Sequence, residues 1–273
     1  MMAHTAERFD AGADAWAAYN QTPLGRIRSE VTWHNLSPHL PELITPEQPP
    51  RVLEAGGGTG ELALRLVRAG YRVWLLDYAE TMLARAQEAA KSLPDRVRAR
   101  LTFYPLDIDD APQAFVPQFF DAITCHTLIE YLPDPQSTLA TLTGLLSDGG
   151  RLSLSFVNRH AQVLRQVWSR ADPAGALASL DDGRFCATLF DVPGMTHTAD
   201  EVSVWLADLD LEVTATYGVR AFADFLPRER LGDPEFFEAL LSLELAVANR
   251  LPYKLVARYA QLIARKGNVQ DRS

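Results

Sequence analysis

The sequence predicts an α/β protein with a doubly wound, mostly parallel sheet and helices on both faces. Short apolar runs alternate with amphipathic stretches of helical period between residues 51 and 158. The apolar runs are continuous, which is typical of parallel strands because such strands are buried on both faces. The length of 273 residues, with 47% hydrophobic and 22% charged residues, suits one large domain with a substantial core.

Residues 1–50 are predicted to form an N-terminal helical arm. Amphipathic patterns cover residues 7–19 and 27–36, and Thr22-Pro23-Leu24-Gly25 is a turn signal between them. The proline-rich stretch at residues 46–50 ends the arm, because proline lacks the N–H that a helix or a sheet ladder requires.

The core of the predicted sheet spans residues 51–158. Five strands are expected, at residues 52–55, 73–76, 101–106, 122–125 and 151–157. Amphipathic helices are expected between them, at residues 61–69, 81–93 and 137–146. This order of elements is the basis for predicting a parallel sheet.

The alternation of strands and helices stops after Asn158. Residues 159–198 are therefore predicted to form an irregular cap, inserted beside the active site. The alternation resumes in residues 199–266, assigned to the C-terminal part of the core, with helices at 200–209 and 233–249 and strands at 211–217 and 259–264. Residues 267–273 are predicted to be a polar tail.

Composition narrows the classes of partner. The formal net charge of -9 gives the chain no overall attraction for phosphate backbones, so a nucleic-acid partner would need a local patch. The sequence contains no signal-peptide core and no apolar stretch of ~18 residues, so we predict a cytoplasmic protein that does not enter a membrane. Cys125 and Cys186 form no CxxC pair; we expect two buried thiols and no metal site.

A glycine-rich turn follows the first predicted strand. Glycines occupy positions 56, 57, 58 and 60, where the missing Cβ lets the backbone turn tightly and approach a ligand. Asp77 ends the second strand about twenty residues later, and a carboxylate there can accept hydrogen bonds from a ribose diol. An ordinary loop and a solvated aspartate are the alternatives, but the strand, turn, helix and acid together favour a ligand-binding turn.

The spacing of this turn distinguishes two classes of cofactor. A dinucleotide site has the pattern G-x-G-x-x-G, from which the run from Gly56 to Gly60 departs, and Glu54 would repel a pyrophosphate. The segment from Glu54 to Gly60 instead resembles the first motif of the class I S-adenosylmethionine-dependent methyltransferases. That resemblance implies a Rossmann-like fold and S-adenosylmethionine as the cofactor. It further implies contacts to the methionine half from Glu54, Gly56, Gly57 and Gly58, and to the ribose from Asp77.

Two further segments resemble motifs of the same family. Asp107-Ile108-Asp109-Asp110 resembles the segment that binds adenine, which implies Ile108 and Asp109 as adenine contacts; a solvated acidic turn is the alternative. Residues 121–132 resemble the fourth motif and place His126 just past the carboxyl end of a strand, where open sheets bind ligands. We predict that His126 contacts the cofactor, with a purely structural histidine as the alternative.

Nearly the whole chain resembles a narrower family, the bacterial tRNA 5-carboxymethoxyuridine methyltransferases. The matching segments include residues 25–28, 126–131, 133–135, 155–158, 217–222, 224–226, 238–244, 252–253, 257–259 and 264–266. The resemblance implies that the enzyme esterifies the carboxylate of a modified wobble uridine. It also places Arg28 where the family has an arginine that contacts the cofactor.

The chemistry of esterification agrees with the residues available. A carboxylate is ionised at neutral pH and can attack the sulfonium methyl group directly, so the reaction needs alignment and a cation but no general base. Arginine binds carboxylates with a two-point fork, and Arg220 follows the sixth predicted strand at the end of the sheet that binds the cofactor. We predict that Arg220 clamps the substrate carboxylate; a surface arginine is the alternative.

The charge of the predicted cap leaves the methyl acceptor open. Residues 159–198 hold four arginines and four aspartates, whose formal charges cancel. A tRNA would then be held elsewhere, by dispersed cations such as Arg26, Arg228 and Arg258, or the substrate would be a small acidic molecule. Three functions follow: a tRNA carboxyl methyltransferase, a methyltransferase of small acids, and a cofactor-binding protein without catalysis.

Overall fold

A computed structural model describes residues 2–43, 45 and 47–268 of the chain. Its centre is a seven-stranded sheet, beside which lies a separate two-stranded hairpin. The strands are β1 Arg51–Ala55, β2 Arg72–Asp77, β3 Leu101–Pro105, β4 Phe120–His126, β5 Leu146–Val157, β6 Arg184–Ala187, β7 Val192–Met195, β8 Leu211–Val219 and β9 Tyr259–Lys266.

The order of strands across the main sheet is β3-β2-β1-β4-β5-β9-β8. Neighbouring strands are parallel from β3 to β5, whereas β9 is antiparallel to both β5 and β8. The predicted mostly parallel sheet is therefore confirmed, and each of the seven predicted strands is present in it. The chain reverses its course on this sheet between β1 and β4, which is where open α/β sheets form their ligand crevice.

Helices cover both faces and the carboxyl end of the parallel strands. They are α1 Met2–Gln21, α2 Pro23–Leu36, α3 Glu61–Ala69, α4 Glu80–Ala90, α5 Asp95–Arg98, α6 Ala111–Ala114, α7 Pro135–Leu145, α8 Arg159–Arg170, α9 Pro173–Ala178, α10 Ala199–Ala207, α11 Arg228–Leu231, α12 Pro234–Val247 and α13 Tyr253–Val256. Short 3-10 turns lie at Ser37–His39, Ile108–Asp110, Ile129–Tyr131 and Ala223–Phe225.

Consecutive residues of the central strands enter different cores. Leu53 and Ile123 pack in a hydrophobic cluster on one face of the sheet, whereas Val52 and Ala122 pack in a cluster on the other face. Side chains alternate across a sheet, so a strand covered on both faces must be apolar throughout. Full burial of one such leucine, isoleucine or valine contributes about 1.5 to 3 kcal/mol, which explains why these strands are visible in the sequence as continuous apolar runs.

The N-terminal arm folds as two helices, as predicted, and lies over the carboxyl end of the strands. α1 packs against α4, and α2 packs against α12 and β8, with Ile27 completely buried between them. The Thr22 hydroxyl accepts a hydrogen bond from the Gly25 N–H at 3.2 Å and so caps the start of α2. A Cβ at Gly25 would overlap the carbonyl oxygen of Tyr19, so glycine is needed where α2 begins against α1.

The cap is more regular than the sequence predicts. Residues 159–198 form α8, α9 and the antiparallel hairpin of β6 and β7. Arg159 holds the base of the cap by donating hydrogen bonds to Glu201 at 2.6 Å and to the Thr196 carbonyl oxygen at 3.0 Å. The prediction of an irregular cap was wrong. The apolar residues of α8, Val163, Leu164, Val167 and Trp168, do recur at helical spacing, but they stay partly or largely exposed, and within α8 only Ala161 is fully buried.

The remaining predictions concern the two cysteines, the C-terminal tail, and membrane and metal binding. Cys125 is buried in β4 as expected, but Cys186 is exposed, so the prediction of two buried thiols is wrong for the cap cysteine. Of the predicted polar tail at 267–273, residues 269–273 lie outside the described residues. In the part of the chain that the structure describes, no helix is long and apolar enough to cross a membrane, and no three histidine, cysteine or acidic side chains are grouped to hold a metal.

Candidate active site

A cavity of about 650 Å³ lies at the carboxyl ends of β1, β2 and β4, under the arm and the cap. It is lined by most of the side chains that the sequence singled out: Arg28, Glu54, Gly56, Gly57, Gly58, Asp77, His126 and Arg220. Its two ends differ in composition. We call Glu54, Gly56, Gly57, Gly58, Asp77 and His126 the glycine half. We call Arg165, Arg220, Asp224, Arg258 and Tyr259 the arginine half.

The glycine turn follows β1 in a conformation that only glycine adopts readily. Gly56 and Gly58 have φ angles of +68° and +53°, in the left-handed region. A Cβ at Gly57 would come within 3.0 Å of the Glu54 carboxyl carbon. The turn therefore leaves bare backbone facing the cavity, and α3 begins directly behind it at Glu61.

Glu54 presents an unsatisfied carboxylate to this turn. The residue is 7% exposed, and its Oε2 atom has no hydrogen-bond partner among the described residues. Burial, with the negative charges of Glu61 and Asp77 nearby, raises the pKa of Glu54 well above its ordinary value. A buried carboxyl of this kind suits a ligand with a positively charged donor group, which would supply the missing partner.

Asp77 ends β2 on the other side of the turn. Its Oδ2 accepts a hydrogen bond from the Gly58 N–H at 2.8 Å, and its Oδ1 accepts one from the Ala79 N–H at 2.9 Å. Burial raises the pKa of Asp77, although these backbone donors oppose the shift. Each carboxylate oxygen keeps capacity for a second donor, so Asp77 can still accept hydrogen bonds from a ligand diol.

His126 and Arg28 connect the glycine half to the arm. His126 Nε2 shares a hydrogen bond with the Ser153 hydroxyl at 2.8 Å, and burial together with the charge of Arg28 lowers the pKa of His126 to about 3. His126 is therefore neutral at physiological pH. Arg28 donates to the Asn20 side chain at 2.8 Å and stacks 4.3 Å from the centre of the Trp16 ring.

Arg220 lies in the cavity wall, but its guanidinium group is already bound by a protein carboxylate. Its Nε donates to Asp224 Oδ2 at 3.0 Å, its Nη2 donates to Asp224 Oδ1, and its Nη1 donates to the Tyr19 hydroxyl. Burial alone would lower the pKa of Arg220, but Asp224, Tyr259 and Tyr19 raise it. The two-point contact that the sequence predicts for a substrate is thus made to a protein carboxylate.

Ile108 and Asp109 lie outside the cavity lining. Ile108 is buried in the main hydrophobic cluster, and Asp109 accepts a hydrogen bond from the Thr138 hydroxyl at 3.1 Å. Their contact with adenine stays a prediction.

Several lining residues have no signal in the sequence that assigns them to the site. Tyr19 belongs to a predicted helix and Arg165 to the predicted irregular cap, neither with a motif, and Arg258 stands out in the sequence only as one of the dispersed cations. Glu130 lies within the fourth motif, four residues beyond His126, and its position there was the only available indication. Tyr259 was assigned only to the last strand. Tertiary folding brings these side chains together from the arm, the cap and the end of β8.

Comparisons with known proteins agree with this architecture. A family model described as a methyltransferase domain matches residues 53–152. The tRNA 5-carboxymethoxyuridine methyltransferase of Escherichia coli strain K12 is 31% identical over 254 residues, which cover 92% of each chain. A ubiquinone biosynthesis O-methyltransferase of Xanthomonas axonopodis pv. citri is 28% identical over 78% of this chain and 82% of its own.

Solved structures show the same fold at low sequence identity. The magnesium protoporphyrin IX methyltransferase of Synechocystis PCC 6803, with bound S-adenosylhomocysteine, matches with a TM-score of 0.63 and 18% identity over 98% of this chain and all of its own. An S-adenosylmethionine-dependent methyltransferase of Mesorhizobium loti matches with a TM-score of 0.59 and 21% identity over 86% of this chain and 98% of its own.

The glycine half fits the cofactor of these proteins. S-adenosylmethionine carries an ammonium group, which can donate a hydrogen bond to the unpartnered Glu54 oxygen. It also carries a ribose diol, whose hydroxyl groups can donate to Asp77. The bare glycine backbone leaves space for its approach. The chain is thus an S-adenosylmethionine-dependent methyltransferase, and it belongs to the family of the tRNA 5-carboxymethoxyuridine methyltransferases.

Proposed function

We propose that this methyltransferase esterifies the carboxylate of 5-carboxymethoxyuridine at the wobble position of tRNA. The observation that supports the proposal is the charge of the arginine half. Three arginines line it, and Asp224 forms an ion pair with only one of them, Arg220. An excess of partly buried positive charge in a chain of net charge -9 suits an anionic acceptor group, and the Escherichia coli relative is named for a substrate that carries one.

The reaction needs few groups from the protein. A carboxylate oxygen of the substrate attacks the methyl carbon of the sulfonium; the new C–O bond forms as the C–S bond breaks, and the electron pair stays on sulfur. No proton moves, so no general base is required. His126, which is neutral and bonded to Ser153, therefore needs no role in proton transfer. The protein contributes by aligning two ligands of opposite charge in a buried space.

We assign the cofactor contacts in keeping with the sequence. Glu54 and the glycines at 56, 57 and 58 would hold the methionine half, Asp77 the ribose, and Ile108 with Asp109 the adenine. Arg28 and His126 would line the same ligand where the arm meets β4. A tRNA substrate would also place the enzyme in the cytoplasm.

A small acidic molecule is the second candidate for the methyl acceptor. The observation that favours it is the cap, whose four arginines and four aspartates give an RNA backbone no net attraction. The same partly buried cations would serve either acceptor, so the two candidates differ in what binds outside the cavity.

Labelled cofactor separates the two candidates. The protein is incubated with bulk tRNA from cells that make 5-carboxymethoxyuridine and from cells that do not. We expect label only in the modified tRNA, released by mild alkali as methanol because the product is an ester. The rate should fall steeply between about 50 and about 200 mM salt. Absence of label in the modified tRNA, or equal label in both, contradicts the tRNA proposal.

A further inference from the structure

Two members of the arginine half, Arg165 and Arg258, have no carboxylate partner among the described residues. Arg165 lies on α8 of the cap, and Arg258 directly precedes β9; among the described residues neither forms an ion pair. Arg258 donates one hydrogen bond, from Nη1 to the Gln162 side chain at 3.2 Å. Cations that are partly withdrawn from water without a counter-charge are costly, so a pair of them in one cavity calls for a ligand.

The two guanidinium groups belong to one site. Gln162 and Arg165 are three residues apart on α8 and therefore share a helix face, and the Arg258 side chain reaches that face at Gln162. Their proximity is also visible in electrostatics, because burial first and the charge of Arg258 second lower the pKa of Arg165 to about 10. With that pKa Arg165 is still protonated at neutral pH, and two guanidinium groups face the same part of the cavity.

The protein itself does not neutralise this pair. Asp224 is committed to Arg220, which it contacts through two hydrogen bonds. The other buried carboxyl nearby is Glu130, whose pKa is raised to about 8, chiefly by burial, so it is mainly neutral at pH 7. Positive charge in the arginine half therefore exceeds negative charge by two, located on Arg165 and Arg258.

We propose that Arg165 and Arg258 together bind the acceptor carboxylate, and that Arg220 is a positioning residue that holds Asp224 and Tyr19. This inference rests on the proposed function, since it names the groups that would recognise the acid. Arg220 already has its fork filled, whereas the other two arginines offer free N–H donors. Guanidinium groups bind carboxylates by short, charge-assisted hydrogen bonds.

The same arrangement explains release of the product. Before transfer, the carboxylate is negative and the sulfonium is positive; afterwards, the ester and the thioether are both neutral. Esterification removes the charge that Arg165 and Arg258 bind, so the product is held more weakly than the substrate. The site should therefore discriminate between an acid and its methyl ester.

Steady-state kinetics on modified tRNA provide the first test. Arg165→Gln and Arg258→Gln should each lower kcat/KM by about 10- to 100-fold, because each removes a charge-assisted contact. Their affinity for S-adenosylhomocysteine should stay near that of the parent. Arg165→Lys should recover part of the rate, since it keeps the charge but not the fork. The matched control is Arg96→Gln, an exposed arginine on α5 that lies outside the cavity lining.

Calorimetry on the protein loaded with S-adenosylhomocysteine provides a second test that needs no turnover. The probes are the free nucleoside 5-carboxymethoxyuridine and its methyl ester. The parent should bind the acid more tightly than the ester, and Arg165→Gln and Arg258→Gln should each reduce that difference. If the parent labels modified tRNA but both variants keep its rate and its preference for the acid, the inference is wrong and the proposed function stands. If the parent labels no tRNA, the proposed function fails, and the nucleoside probes still decide whether these arginines bind an acid: equal binding of acid and ester overturns the inference.

Discussion

The two halves of the cavity differ in charge and in how they are built. The glycine half has Glu54 and Asp77 and comes from the ends of neighbouring parallel strands. The arginine half has an excess of guanidinium groups. It comes from the cap and from the adjacent end of β8 and start of β9. Each half thus holds groups that suit the ligand proposed for it: carboxyl groups for a cationic cofactor, and guanidinium groups for a carboxylate.

The halves also keep their shape by different means. The glycine half is held in shape by the backbone: two of its glycines are left-handed, and Asp77 accepts hydrogen bonds from backbone N–H groups. In the arginine half, a buried ion pair between Arg220 and Asp224 fixes the wall, and both side chains are less than 10% exposed. We therefore expect substitutions in the two halves to have separable effects on stability and on ligand binding.

The largest expected effect comes from breaking the buried ion pair. Arg220→Ala leaves Asp224 buried without its cation and should lower the free energy of unfolding by about 3 to 5 kcal/mol, measured by urea denaturation. Asp224→Ala should cost a similar amount. The double variant should be more stable than the sum of the two losses predicts, because no charge is left unpaired. A loss below about 1 kcal/mol for both single variants would show that the pair does not organise this half.

The next effect concerns the glycine half. Asp77→Ala should weaken binding of S-adenosylhomocysteine by about 1 to 3 kcal/mol through lost ribose hydrogen bonds, as measured by calorimetry. The control is Asp95→Ala, since the Asp95 side chain is 91% exposed and remote from the cavity lining. Arg165→Gln should leave this affinity nearly unchanged. Equal loss of cofactor affinity in Asp77→Ala and Arg165→Gln would remove the distinction between the halves.

Glu130 provides a test by pH. Burial raises the folded-state pKa of Glu130 from 4.5 to about 8, so between these values the folded state binds more protons than the unfolded state. Stability should therefore be greatest below about pH 4.5 as far as this group is concerned, and fall as the pH rises towards about 8, by at most about 1.4 kcal/mol per pH unit.

The variant Glu130→Gln should make this decline with pH shallower. Urea unfolding at about pH 5.5 and about pH 7.5 compares the two slopes. Glu54, whose pKa is also raised, keeps a slope of the same sign in both proteins. Identical slopes in parent and variant would mean that Glu130 is already ionised in the folded protein.

The smallest effect is expected at Gly58. A Cβ there would meet nothing nearer than Trp16 Nε1 at 3.8 Å, so Gly58→Ala should cost only the left-handed backbone, about 1 kcal/mol. Gly57→Ala should cost more, because its Cβ would come within 2.8 Å of Leu75 Cγ. Thermal unfolding of the cofactor-free variants measures both. A larger loss of stability in Gly58→Ala than in Gly57→Ala would show that the turn changes conformation to accommodate the new side chain at position 57.

The sheet and the composition of the glycine half follow from local sequence patterns. Strands such as β1 and β4 are buried on both faces, so they appear in the sequence as short, continuous apolar runs. Glu54 and the glycines at 56, 57 and 58 belong to one short segment, and Asp77 ends the neighbouring strand, so local patterns at two strand ends indicate the same site. In the cap, α8 has apolar residues at helical spacing, but no ligand-binding motif accompanies it.

The composition of the arginine half, in contrast, depends on long-range packing. β9 enters the sheet antiparallel between β5 and β8, and this pairing places Arg258 beside the cap helix that carries Arg165. Arg220 and Asp224 are only four residues apart, but their pairing depends on the turn after β8, where Arg220 has a left-handed φ of +64°. Local pattern specifies the burial of a segment, but it does not specify which distant charges meet, because that depends on the packing of the whole chain. Arg165 and Arg258 could therefore be read from the sequence, but their proximity in one cavity could not.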